Sequence, residues 1–246
     1  MAKICMTAQQ VYNALIKEDK ILEISGQIKF HLGDVKIVVK QKDVIGNIMQ
    51  EWLEGWLKKR GVSYSVNTNT QMPPDFFLSP RDHRHNLLEI KAFNADATPG
   101  FDIADFTMYP EEIIREPYML DVDYLIFGYQ MSDDGYVTIR NVWLKKVWEI
   151  TRRMADWPLN LQVKKDVVHK IRPGVWYSSK PRDFRMFSCL EHFISAIEET
   201  VYQNEDTRKK GSQWKNRFLA SYKAFSEKTL TIPKWDEIKD SYLVTR

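Results

Sequence analysis

A change of hydrophobic period near residue 60 constrains this chain more than any other feature. Ile45, Ile48, Met49, Trp52, Leu53, Trp56 and Leu57 recur at the spacing that gathers apolar side chains on one face of a helix. Asp43 offers that helix a cap. Gly61 follows the basic last turn Lys58-Lys59-Arg60 and ends it: glycine takes left-handed backbone at little cost, and cations suit the negative helix end. Beyond Gly61 the pattern shortens to strands, expected over 75–78, 86–93, 124–130 and 137–143, the last turned by Asp133-Asp134-Gly135.

The flanking segments fill in the class. Residues 7–17 read as a short helix capped by Thr7, and 28–39 as a hairpin around Gly33-Asp34. Residues 144–154 and 189–202 read as further helices. Strands in the middle with helices on both sides predict an α/β domain with a central mixed β-sheet flanked by helices. The 246 residues, 43% of them hydrophobic, suffice for a full core without a linker, so one domain is expected, its catalytic core at about 44–155 and a helical part at 156–246.

Several function classes drop out here. The longest apolar runs are far short of the roughly 20 residues that span a bilayer, and Met1-Ala2-Lys3-Ile4-Cys5 has no signal-peptide pattern. The expected location is cytoplasmic. Cys5 and Cys189 have no metal-type spacing and read as small buried hydrophobes. Net charge is only +3, but its distribution is uneven. Between Asp96 and Asp123 eight acids face one base, Arg115; Gln162 to Arg185 holds seven bases against two acids, and Thr207 to Lys228 seven against one. A polyanion would prefer the later segments, although an ordinary solvated surface has the same composition.

The stretch that carries chemistry is Pro74-Asp75, thirteen residues, then Glu89-Ile90-Lys91. Alternation along a strand points Glu89 and Lys91 to one face and Leu88 and Ile90 to the other. A strand beginning at Asp75 and paired alongside would bring a second carboxylate close to Glu89. Mg²⁺ is an oxygen-seeking ion that usually takes one or two protein carboxylates and fills its shell with water and phosphate. Asp75 and Glu89, with the carbonyl of Ile90, make such a set, and Lys91 beside it would orient water and stabilise charge on a phosphoryl group. The expected chemistry is phosphodiester hydrolysis. An exposed edge strand with a solvated Glu and Lys is the plain alternative, and the order helix, strand, strand favours the site.

Gly46-Asn47-Ile48-Met49-Gln50-Glu51-Trp52-Leu53, Asn69-Thr70-Gln71, Pro74-Asp75-Phe76-Phe77-Leu78 and Leu88-Glu89-Ile90-Lys91-Ala92-Phe93 carry a resemblance. Phe101-Asp102-Ile103-Ala104-Asp105-Phe106 and Tyr124-Leu125-Ile126-Phe127-Gly128-Tyr129 share it. Over about residues 7–150 the chain resembles Type II restriction endonucleases of the NgoBV/NlaIV family, on a PD-(D/E)XK core. The resemblance implies a Mg²⁺-dependent homodimer, with Mn²⁺ able to substitute, cutting double-stranded DNA at a short palindrome of the GGNNCC type. It also implies a DNA methyltransferase as genetic partner.

Many nucleases of that fold carry a further acid on the helix before the first catalytic strand. Glu51, flanking the apolar stripe, is the candidate, while Glu54 reads as solvated. Gln71 is a candidate water or phosphate contact, though loop polarity explains it too. Asp102 and Asp105 fit supporting groups or turn residues equally. His83 and His85 suggest zinc, but no second pair completes a site. For DNA contact the first candidates are Lys170, Arg172, Lys180 and Arg182, and the second Arg208, Lys209 and Lys210, which look like phosphate clamps; a solvated loop accounts for either. A palindrome calls for a two-fold dimer, with the N-terminal helix or the Trp52–Trp56 helix as possible surfaces. A repair or recombination nuclease on the same core, and a DNA-binding protein without catalysis, are the competing readings.

Overall fold

The computed structural model describes residues 3–69, 71–179, 183–209 and 211–244. In chain order its main elements are α1 (Ala8–Asn13), β1 (Ser25–Gln27), β2 (Lys29–Leu32), β3 (Val35–Val38), α2 (Ile45–Arg60), β4 (Ser65–Val66), β5 (Phe76–Phe77) and β6 (Leu87–Asn94). These are followed by β7 (Ala104–Asp105), α3 (Tyr109–Arg115), β8 (Asp123–Met131), β9 (Tyr136–Lys145), β10 (Leu161–Lys164) and β11 (Val167–Ile171). Four helices follow: α4 (Leu190–Gln203), α5 (Glu205–Arg208), α6 (Trp214–Ser226) and α7 (Trp235–Ile238). The chain divides into two compact units, one of residues 1–99 with 122–145 and one of residues 100–121 with 146–246. No helix among the described residues is long and apolar enough to cross a membrane.

The first unit is built on a six-stranded sheet in the order β1-β9-β8-β6-β5-β4. Only β6 and β8 run parallel; the other neighbours are antiparallel, so the sheet is mixed as expected. Leu53, Leu57 and Met49 of α2 pack with Leu88, Ile90, Leu125 and Phe127 in one apolar cluster that also takes Val11 and Leu15 from the N-terminal helix. Burying each large aliphatic side chain contributes about 1.5–3 kcal/mol, so this cluster holds α2 and β6 as one body. Thr7 caps α1 with a full capping box. Gly61, at φ +70°, closes α2 by donating to the carbonyls of Leu57 and Lys58.

Some expectations are corrected. The N-cap of α2 is Val44, entered from a 3₁₀ turn over Lys42–Val44 with no side-chain capping bond; the side chain of Asp43 lies outside the described residues. Trp52 is 38% exposed rather than in the core, because its Cβ projects to the margin of the buried stripe. Residues 144–154 do not form a helix. Leu144 and Lys145 continue β9 opposite Leu125 and Tyr124, and only a 3₁₀ turn, Val147–Ile150, follows. A long ladder with β8 outweighs helical propensity there. Cys5 is exposed and Cys189 only half-buried, so neither is a core hydrophobe.

The second unit has its own small sheet, in the order β10-β11-β7, and a helical core. Trp214 of α6 is fully buried, donates its indole N–H to the Pro110 carbonyl at 2.9 Å and stacks on Phe218. Phe193, Ile194 and Ile197 of α4 are likewise fully buried.

Candidate active site

Asp75 stands one residue before β5, after the buried Pro74. The antiparallel register Phe76↔Leu88 and Phe77↔Leu87 carries it alongside Glu89 and Ile90. Its Oδ2 accepts the Ile90 N–H at 2.7 Å. Along β6 the N–H and C=O of a residue share one edge. The Ile90 carbonyl therefore faces the same edge, beyond the last registered pair of β5 with β6. Glu89 and Lys91, two residues apart on one strand, share a face, and Lys91 Nζ lies 2.7 Å from Glu89 Oε1. Leu88 and Ile90 point oppositely into the apolar cluster, as alternation requires. The sequence-predicted trio is thus brought together.

Burial and charge act strongly on it. Glu89 is only 8% exposed, and its neighbour across the parallel ladder, Tyr124, is buried. Burial, and then the charge of Glu89, push the Asp75 carboxyl up to about 7, against the smaller opposing pull of the Ile90 N–H and Lys91. Asp75, held from ionising by burial and by the neighbouring carboxylate, makes with Glu89 and a backbone carbonyl a hard-oxygen donor set. Among the described residues no cluster of three or more His, Cys, Asp or Glu forms elsewhere or here. A pair of carboxylates suits Mg²⁺, which commonly binds through one or two and keeps its waters.

The remaining candidates fall differently. Glu51 is exposed and its side chain makes no hydrogen bond or ion pair among the described residues; α2 packs on the Leu88/Ile90 face of the sheet, opposite to Glu89 and Lys91. Glu54, expected to be solvated, is half-buried, takes the Tyr64 hydroxyl at 3.0 Å and pairs with Lys58 at 2.6 Å. Gln71 is exposed in a turn, its N–H donating to Asn69 Oδ1. His83 stacks on Phe77 at 4.1 Å and His85 bonds Asp82 at 2.6 Å in an exposed turn. In the second unit Lys170 pairs with Asp105 at 3.2 Å, and Arg172 pairs with Asp102. Arg208 donates to the carbonyls of Tyr202 and Gln203, closing α4, while Lys209 is exposed. Lys180, Arg182 and Lys210 lie outside the described residues.

Sequence reading missed two supports. Asn67 ties the approach to Asp75, its amide donating to the Met72 carbonyl and its N–H to the Asp75 carbonyl. An Asn opening a polar loop was the available signal. Tyr124 walls the Glu89 side, and only the parallel register, invisible in one dimension, reveals it.

Two acids and an amine on paired strands beside α2, in a curled mixed sheet, define a restriction-endonuclease fold. The family model of NgoBV restriction endonucleases matches residues 5–242, and the chain belongs to that family: it is a Type II restriction endonuclease. It is 62% identical to the Type II restriction enzyme NlaIV of Neisseria lactamica over 239 residues, 97% of this chain and 98% of the relative. It is 57% identical to the Type II restriction enzyme NgoBV of Neisseria gonorrhoeae over 162 residues, 66% of this chain and 92% of that one. A solved NlaIV restriction endonuclease structure superposes with a TM-score of 0.95 at 62% identity, covering 98% of each chain.

Proposed function

We propose that Asp75, Glu89 and Lys91 hydrolyse phosphodiester bonds of double-stranded DNA with Mg²⁺ as cofactor, at a short palindrome of the GGNNCC type. The observation that carries this is the convergence of the Asp75 carboxylate on Ile90 N–H and of Lys91 on Glu89 within three consecutive residues of β6. Asp75, Glu89 and the Ile90 carbonyl would hold Mg²⁺, which supplies charge neutralisation at the scissile phosphate and acidifies water; Mn²⁺ shares the oxygen preference and is expected to substitute.

The chain's own groups do the rest. The Ile90 N–H keeps Asp75 in one orientation, and the apolar anchors Leu88 and Ile90 keep the strand from shifting. Lys91 is placed to orient the attacking water and to donate to phosphoryl oxygens as charge develops on them. Tyr124, buried beside Glu89, limits solvent on that flank. A palindrome presents two equivalent strands, so a homodimer with one trio per strand fits the substrate. A methyltransferase modifying the same site is the expected genetic partner. Glu51 and the basic residues of the second unit stand as proposed contributors that direct assay must place.

Of the readings the sequence left open, family membership selects the restriction enzyme over a repair nuclease or a non-catalytic binder. Digestion of a plasmid of known sequence, with Mg²⁺, with Mn²⁺ and with chelator, tests the rest. Discrete fragments ending at one palindrome, lost on chelation, are expected; intact plasmid with both metals would overturn the assignment.

A further inference from the structure

The β2–β3 hairpin is a two-stranded sheet of its own. Its register pairs Phe30 with Ile37 and Leu32 with Val35. Cross-strand partners and residues two apart share a face, so these four side chains form one continuous apolar face. They are 52%, 51%, 71% and 66% exposed respectively. The lysines and the histidine of the ribbon, Lys29, His31 and Lys36, do not interrupt it, since alternation sends His31 and Lys36 to the reverse side together with Lys29. An isolated two-stranded ribbon is marginally stable in water, and an uncovered apolar ribbon invites association.

The surface does not stop at the hairpin. Ile28 and Ile48 line both a recess that reaches Phe30 and Ile37 and a second that reaches Ile24 and Trp52. Ile24 is 50%, Trp52 38% and nearby Leu22 42% exposed. With on the order of 200 Å² per large side chain, the exposed parts of these seven residues offer roughly 700 Å². That is close to the about 800 Å² each partner contributes to a stable interface, and more than a monomer normally leaves uncovered.

We propose that this face, Phe30, Leu32, Val35 and Ile37 with Ile24 and Trp52 beside it, is the two-fold contact through which two copies of this chain pair. The inference rests on the reading of the chain as a nuclease that cuts both strands. That reading supplies the occupant: each chain holds one Asp75/Glu89/Lys91 trio, and two are needed at a two-fold site. An antiparallel ribbon also has its own approximate two-fold across the strands. Two ribbons laid face to face therefore appose Leu32 and Val35 of one with Phe30 and Ile37 of the other, the self-complementarity an isologous contact demands. DNA is a poor fit for the four apolar side chains at the centre of this face; the cations near it, Lys29 and Lys40, lie at its margin in the recess beside Phe30 and Ile37. The two helices named from sequence as possible surfaces offer less exposed apolar area than this face. The N-terminal helix spends Val11 and Leu15 on the core. The Trp52–Trp56 helix buries Trp56 against Asp19 and Arg60, leaving only Trp52 at the patch.

Sedimentation equilibrium of the full chain, without DNA or metal, tests this separately from catalysis. Wild type is expected at twice the 29.1 kDa chain mass, and Phe30→Asp/Leu32→Asp as a folded monomer, its dimer constant weakened at least 100-fold. Should the double aspartate variant misfold by circular dichroism, Phe30→Ser/Leu32→Ser is expected to weaken the dimer at least tenfold with the fold intact. A folded variant that stays dimeric overturns this surface while leaving the dimer reading in place. A monomeric wild type that still makes double-strand breaks overturns the pairing itself. Failure of wild type to cut with Mg²⁺ bears on the nuclease reading alone.

Discussion

Asp75→Asn separates catalysis from stability, because the structure makes this carboxylate costly to keep ionised. Its carboxyl is raised from an ordinary 3.8 to about 7, first by burial and then by Glu89. At 1.36 kcal/mol per tenfold change this corresponds to about 4 kcal/mol favouring the protonated form in the folded chain. Solvent reaching the half-buried group and the nearby Lys91 screen part of it, so about 2–3 kcal/mol is expected. The sign follows from linkage: the folded state holds the proton more tightly than the unfolded one, so stability falls as pH rises from near 4 through about 7. Asparagine carries no charge and can still accept the Ile90 N–H. In chelator, Asp75→Asn should therefore match wild type below pH 4 and be about 2–3 kcal/mol more stable at pH 8, while cleaving at least 1000-fold more slowly. Urea unfolding followed across pH 4–8.5 measures the difference, and added Mg²⁺ should stabilise wild type selectively by binding only its folded state. A variant less stable than wild type at pH 8, or a difference independent of pH, would refute the reasoning.

Lys91→Met keeps the stem's packing but removes the amine 2.7 Å from Glu89; cleavage should fall at least 100-fold while gel-shift affinity for the target stays within about tenfold. Gly135→Ala should destabilise by about 2 kcal/mol in thermal melts, because Gly135 has φ +79° and a Cβ there would meet Val38 Cγ1 at 2.5 Å. A double-mutant cycle on Asp102 and Arg172 should give a coupling of about 0.5–1 kcal/mol, as for a partly exposed pair. If Arg172→Ala alone abolishes cutting without a stability loss, its main role is on DNA rather than on Asp102.

What could be read along the chain was whatever depends on near neighbours. The helix over Ile45–Arg60, its stop at Gly61, the Thr7 cap, the β2–β3 hairpin and the pairing of Glu89 with Lys91 two residues on all follow from local period and backbone chemistry. Glu89 and Lys91 were legible as a pair because alternation within a strand is a short-range rule. Long-range register was not. Only the fold could show that Asp75 takes the Ile90 N–H, that Tyr124 flanks Glu89, and that β9 outruns the helix its sequence favoured. The charge runs show the same division. Their asymmetry was visible, but in the tertiary structure Asp102, Asp105 and Glu111 of the acidic segment pair with Arg172, Lys170 and Arg217 of the basic ones. Composition counts charges, whereas the energy of a charge depends on which opposite charge lies within a few ångströms, and that distance is set by packing.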